Sequence, residues 1–174
     1  MKFISYIMNG VESYGLVKED ENSVIPMKTL LEKLNVKAPP NLLEFIRTYS
    51  DSLIPKLRKV LDKTYEGIPL ENVKITAPIP YPRRNVFCLG KNYAEHAMEI
   101  TSIPSGESDV PKYPIYFSKI ADPAIGHMDK IVIPKDYTVD IDYEVELAVV
   151  IGKDGKDIPY EKAEDYIFGY TIGN

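Results

Sequence analysis

The sequence predicts an α+β fold rich in strands, and three observations carry that prediction. Asn9-Gly10 separates two stretches of alternating pattern, which is the signature of a tight hairpin. Fourteen prolines and thirteen tyrosines in 174 residues suit short strands and shaped loops better than a helix bundle. Helical spacing of apolar residues recurs over residues 27–63, between stretches that read as strands.

The length suits one domain, or a small domain with part of a larger one. Hydrophobic content of 44% and charged content of 27% are ordinary for a water-soluble globular chain. The net charge is −5, with no block of Lys and Arg, which argues against nucleic acid as a partner. No apolar run approaches the roughly 20 residues that span a bilayer, and the N-terminus lacks the apolar core of a signal peptide. A single cysteine, Cys88, excludes an internal disulfide and fits a reducing cytoplasm.

In chain order, residues 2–8 and 11–18 form the hairpin strands and residues 23–26 a third strand. Amphipathic helices follow over 27–34, 42–49 and 52–63. Asn41 caps the second and Asp51 the third, with Pro55 in the third's first turns. Residues 65–69 read as the connection out of a small N-terminal α+β domain, 1–71. The second domain, 72–174, opens with a strand at 73–77 and a stiff connector carrying Pro78, Pro80 and Pro82. Residues 85–89 are a short buried strand, 92–100 a helix, and 101–112 a loop by composition. Strands follow at 115–118 and 130–133. Pro159 opens a helix over 160–166, and 167–172 is the last strand.

The most distinctive stretch is residues 139–153, VDIDYEVELAVVIGK. Asp140, Asp142, Glu144 and Glu146 recur at every second position, which on a strand places them on one face. Past Glu146 the strand turns apolar on both faces, so the last carboxylates sit where a strand enters a core. Two carboxylates about 5–6 Å apart repel by roughly 3 kcal/mol at an effective dielectric near 20. A hard divalent cation would offset that repulsion. The same alternation also describes an edge strand with a solvated acidic face.

A second cluster is His96 and Glu99, three apart and therefore on one face of a helix. A carboxylate beside an imidazole fixes its tautomer and raises its basicity, as a water-activating base requires. A surface pair has the same spacing. Lys91 and Lys119, each at the end of a short strand, offer positive charge for a carboxylate or enolate, or stand as solvated lysines. Cys88, within an apolar strand, reads as core, and His127, after Gly126, as structural. No dinucleotide, P-loop, GxSxG or CxxC pattern is present.

Together, CLGKNYAEHAME, PIYFSKI, DYEVELAVVIGK and GYTIGN resemble the fumarylacetoacetate hydrolase family. The likeness is to its acylpyruvate hydrolase and hydroxyheptadienedioate isomerase branch, and it covers residues 85–174, with a weaker similarity over 1–71. It implies a mixed β-sandwich or roll, of which this chain holds the first part. It implies that Glu144 and Glu146 bind Mg²⁺ or Mn²⁺, with Ca²⁺ also compatible. A third ligand, an aspartate, would directly follow Asn174, so the chain reads as cut short at its C-terminus. The resemblance further implies that His96 and Glu99 activate water, that Lys119 is catalytic, and that Lys91 and Tyr93 contact substrate. Ser118 and Ile120 flank Lys119 where many members have another apolar residue and a proline.

The implied reaction is hydrolysis of a C–C bond in a 2,4-dioxo acid. The metal would stabilise an enolate at carbon 3, and His96 would deprotonate water for attack on the 4-carbonyl. The same site would serve an isomerase or decarboxylase of hydroxydienedioates or oxaloacetate, neither of which needs activated water. A non-catalytic binding module, or an inactive fragment, is the reading from another class. The implied partners are a small 2-oxo acid and a second copy of the chain in a homodimer, with neither nucleic acid nor membrane.

Overall fold

The computed structural model describes residues 1–61, 65–94, 111–134, 136–137 and 140–174. They form two compact units, Met1–Ile79 with Ile125–Asn174, and Pro80–Ala124. The architecture is α+β and strand-rich, as the sequence predicts.

The first unit begins with the expected hairpin, β1 (Lys2–Met8) and β2 (Val11–Val17), in the register Met8↔Val11 to Lys2↔Val17. Asn9 and Gly10 both take positive φ, 50° and 77°, the paired left-handed conformation that a two-residue hairpin turn needs. Strand β3 (Ser23–Pro26) pairs with β2. Strand β4 (Ile68–Pro69) lies inside the segment read as a connection and pairs with β3. Strand β5 (Lys74–Ile75) is shorter than the expected 73–77 and pairs with β1, giving the antiparallel order β4-β3-β2-β1-β5. Helix α1 (Met27–Glu32) stops two residues before the expected end. There Asn35 turns left-handed at φ 56° and Val36 N–H reaches back to the Leu31 carbonyl at 2.9 Å.

The expected second and third helices are one, α2 (Leu42–Leu61). Asn41 caps it as expected, its Oδ1 accepting the Glu44 N–H at 2.9 Å. Pro55 lies inside the helix and not near a start, so the Asp51 carbonyl has no N–H four residues on to accept. The helix continues through this defect because Phe45, Ile46, Leu53 and Leu57 bury one face along its length. They pack with Leu16, Ile25, Met27, Leu30 and Leu31 as a single core under the sheet. Burial of each such side chain stabilises by about 1.5–3 kcal/mol, comparable to the cost of an interior proline.

The second unit holds an antiparallel ribbon of β6 (Val86–Gly90) and β7 (Ile115–Lys119). Back in the first unit, β8 (Glu146–Ile151) pairs antiparallel with β9 (Ile167–Gly173). Val150 and Phe168 pack against the core, and the Phe3 and Phe168 rings are 5.2 Å apart between centroids. Lys153 Nζ lies 3.1 Å from the Asp51 carboxylate, joining the end of β8 to α2.

Two expectations are corrected. Residues 130–133 do not form a strand. The consecutive apolar side chains of Ile131, Val132 and Ile133 are all exposed, so a short β-branched run there reports no pairing. Residues Tyr160–Tyr166 form a 3₁₀ helix with Pro159 outside it at the capping position. Among the described residues, no helix is long and apolar enough to cross a membrane.

Candidate functional site

Glu146 is the first residue of β8 and Glu144 lies two positions before it, outside the strand. The expectation that Asp140, Asp142, Glu144 and Glu146 line one strand face is therefore corrected. Pairing ends at Glu146↔Gly173, where β9 ends, and residues 140–145 run irregularly. Asp142 Oδ1 instead accepts the neighbouring Tyr143 N–H at 2.9 Å, a local bond that competes with a strand ladder.

Glu146 is half-buried and Glu144 is exposed. From Glu146 inward, Ala148 and Val150 continue the half-buried face. The opposite face of Leu147, Val149 and Ile151 is exposed, so burial on both faces is also corrected. β8 belongs to a two-stranded ribbon that packs through one side only.

The segment before β8 is nonetheless tied to β9. The Glu144 N–H donates to Asn174 Oδ1 at 2.9 Å. The side-chain amide oxygen thus continues, by one donor, the ladder that the backbone leaves at Glu146. Sequence reasoning missed Asn174. Its only signal is a polar residue closing an apolar strand, and its meaning depends on the β8–β9 register.

The donor chemistry of Glu144 and Glu146 fits a hard divalent cation, since both offer carboxylate oxygens. Among the described residues, no three His, Cys, Asp or Glu side chains come together in metal-ligating geometry.

In the second unit, Lys119 ends β7 opposite Val86, and Lys91 follows Gly90, which lies opposite Ile115. The two lysines stand at opposite ends of the ribbon, about five strand residues or roughly 16 Å apart along it. The ribbon alone does not bring them to one point. Lys119 is exposed, its Nζ 5.9 Å from the Phe117 ring centroid. Lys91 is half-buried with φ 51°, a left-handed turn that directs the chain away from β6 toward the exposed Tyr93. Cys88 is half-buried opposite Phe117, not a core residue, because its ribbon has no buried face. His96 and Glu99, with residues 101–110 of the expected loop, lie outside the described residues.

His127, read from the sequence as structural, is exposed on a turn. Its neighbour Asp129 accepts the Gly126 N–H at 2.9 Å and meets Lys74 Nζ at 2.8 Å. The bond from Lys74, then that from Gly126, holds the Asp129 carboxyl below the usual carboxylate range.

Residues 85–174 match the family model described as fumarylacetoacetate (FAA) hydrolase C-terminal. The chain is 48% identical over 182 residues to oxaloacetate tautomerase YisK of Bacillus subtilis (strain 168), covering 100% of this chain and 59% of that protein. It is 36% identical over 176 residues to the fumarylacetoacetate hydrolase domain-containing protein 2 homolog of Dictyostelium discoideum, covering 100% and 53%. A fumarylacetoacetate hydrolase structure from psychrophilic Exiguobacterium antarcticum superimposes with a TM-score of 0.67 at 27% identity, covering 99% of this chain and 54% of that one. The chain thus spans about half to three-fifths of the length of these proteins.

Proposed function

From the premise that the chain belongs to the fumarylacetoacetate hydrolase family, we propose that it serves a metal-dependent tautomerase of a small 2-oxo diacid of the oxaloacetate type. The observation that carries this reading is the 48% identity along the whole chain to a protein named oxaloacetate tautomerase. It favours the isomerase side of the implied chemistry over hydrolysis of an acylpyruvate.

Glu144 and Glu146 would hold Mg²⁺ or Mn²⁺, with Ca²⁺ as a weaker fit for the chemistry. When bound, the ion supplies Lewis acidity that polarises the 2-oxo group and lowers the cost of removing a proton from carbon 3. His96, oriented by Glu99, would take the carbon-3 proton, and the enol oxygen would gain one from solvent. Lys119 would meet a substrate carboxylate with positive charge, whereas Lys91 and Tyr93 follow the far end of the ribbon and are not placed with it. The working form would be a homodimer.

The HxxE spacing of His96 and Glu99 favours a second reading, hydrolysis of acylpyruvates, because only that reaction requires activated water. The experiment follows the enol absorbance of oxaloacetate with Mn²⁺ and with EDTA, beside pyruvate release from acetylpyruvate. Metal-dependent loss of the enol signal without pyruvate release is the expected outcome. Turnover of acetylpyruvate that His96→Ala abolishes would replace the tautomerase by the hydrolase. Equal rates in EDTA would remove the metal from either.

A further inference from the structure

We infer that Phe168 is a positioning residue that sets which face of β8 carries Glu146, and this rests on the reading of Glu146 as a metal ligand. The observation is a bulge in β9. Pairing runs one-to-one from Glu146↔Gly173 to Val150↔Gly169, but the next pair is Ile151↔Ile167, so Phe168 is an extra residue. From the bulge onward Gly169, Thr171 and Gly173 are half-buried, while Tyr170 and Ile172 are exposed. Unbroken alternation would place Phe168 with Tyr170 and Ile172. The bulge turns it to the other side, where it packs against the core of the N-terminal sheet and helices. Its ring centroid lies 5.2 Å from that of Phe3, which in turn lies 5.9 Å from that of Phe45. Gly152 leaves the room, since a Cβ there would come within 3.0 Å of the Phe168 Cβ. The Gly152 N–H resumes the ladder past the bulge, donating to the Tyr166 carbonyl at 2.7 Å.

β8 itself is apolar at every position from Leu147 to Ile151. Ala148 with Val150, or Leu147 with Val149 and Ile151, could equally face a core. A slip of one residue would keep that pattern satisfied and turn Glu146 to the opposite face. On the core side of β9, Phe168 is the bulky group beside Gly169, Thr171 and Gly173. Seated against Phe3, it gives β9 one phase, and cross-strand pairing passes that phase to β8. Lys153 and Asp51 also tie the strand's end to α2, but as an exposed ion pair of the kind that holds weakly. Glu146 lies four residues, roughly 13 Å along the strand, from Val150, so Phe168 acts on it through the pairing.

Register is read by brief oxidation of paired cysteines in a Cys88→Ser background. Ala148→Cys with Thr171→Cys reports the observed register, and Val149→Cys with Thr171→Cys the slipped one. Mn²⁺ alone is the metal probe, its affinity measured by paramagnetic resonance titration where circular dichroism shows each purified variant folded. In the parent the first pair should cross-link and the second should not. Phe168→Ala should transfer cross-linking from the first pair to the second. It should weaken Mn²⁺ binding by about three- to tenfold, in proportion to the molecules that leave the competent register. Phe168→Leu, which keeps an apolar anchor, should restore both readouts. Gly152→Ala crowds Phe168 without removing a packing group and should act in the same direction, so the result does not hang on Phe168→Ala folding. Leu31→Ala, which opens the same core at α1, should lower the melting temperature and leave both readouts at the parent level. An unshifted cross-link or an unchanged affinity in the folded Phe168 and Gly152 variants would overturn the proposal. So would an equal loss in Leu31→Ala, which marks a merely structural role. Glu146→Gln separates the two levels of the reading. If it leaves Mn²⁺ binding intact, the metal reading itself fails, while the cross-links still decide the register. If it abolishes binding while Phe168→Ala matches the parent, only the positioning role fails.

Discussion

Asp129 takes one bond from Lys74 and one from the Gly126 backbone, and these two donors fix the turn that carries His127 against β5. Gly126 must be small there, because a Cβ would come within 2.6 Å of the Thr76 backbone. The Asp129 carboxyl is held below its ordinary value, so the folded state binds its proton less readily than the unfolded chain. The stabilisation is therefore present above the ordinary carboxyl value and is lost as pH falls through the lower folded value. Asp129→Asn should lose stability at neutral pH and show a shallower decline below about pH 4 than the parent. Urea titrations across that range check both, and parallel acid limbs would remove Asp129 from the account. None of this was legible beforehand, since the partners Lys74 and Asp129 lie far apart in sequence. The same reason hid Asn174. The i,i+2 spacing marked four carboxylates, Asp140, Asp142, Glu144 and Glu146, and only the family resemblance singled out the last two.

Local signals fixed those elements whose ends are local. The Asn9-Gly10 turn set the β1–β2 register, and Asn41 marked the start of α2. Elements whose ends depend on distant partners were misread. Residues 50–52, Ser-Asp-Ser, have the composition of a break and cap, yet α2 runs through them because its apolar face is buried on both sides. The acidic stretch alternates from residue 140, yet β8 starts at Glu146, where β9 ends. A continuous α2 has a measurable consequence at Pro55. In an unbroken helix, Pro55→Ala restores an N–H to the Asp51 carbonyl and removes the ring's clash with the preceding turn. It should raise stability by roughly 1–3 kcal/mol. With two helices meeting near residue 51, Pro55 would sit in a first turn where proline is tolerated, and the change would be near neutral. Urea denaturation of the two proteins decides between them.

Across the whole molecule, apolar surface is distributed unevenly. The β1–β5 sheet closes over α1 and α2 and buries its apolar residues. The two ribbons differ. On β8–β9 the side away from the core carries Leu147, Tyr170 and Ile172 at 56%, 62% and 68% exposure. On β6–β7, Phe87 and Tyr116 are 75% and 69% exposed. Two-stranded ribbons are marginal in water unless a face is covered. Val150 and Phe168 give β8–β9 one covered side, whereas β6 and β7 are exposed or half-buried throughout. Amides of β6–β7 should therefore exchange faster than those of β8–β9. A net charge of −5 spread over the surface is a weak barrier to contact between apolar strand faces at physiological salt. These 174 residues expressed alone should therefore associate with one another, seen as concentration-dependent sedimentation and binding of a hydrophobic dye. Lysine at Val149 and Ile172, on the exposed β8–β9 side, should reduce both without lowering the melting temperature, since neither residue belongs to the core. A monodisperse, dye-silent chain would overturn this, and the exposed face of β8 would no longer count as a surface for association.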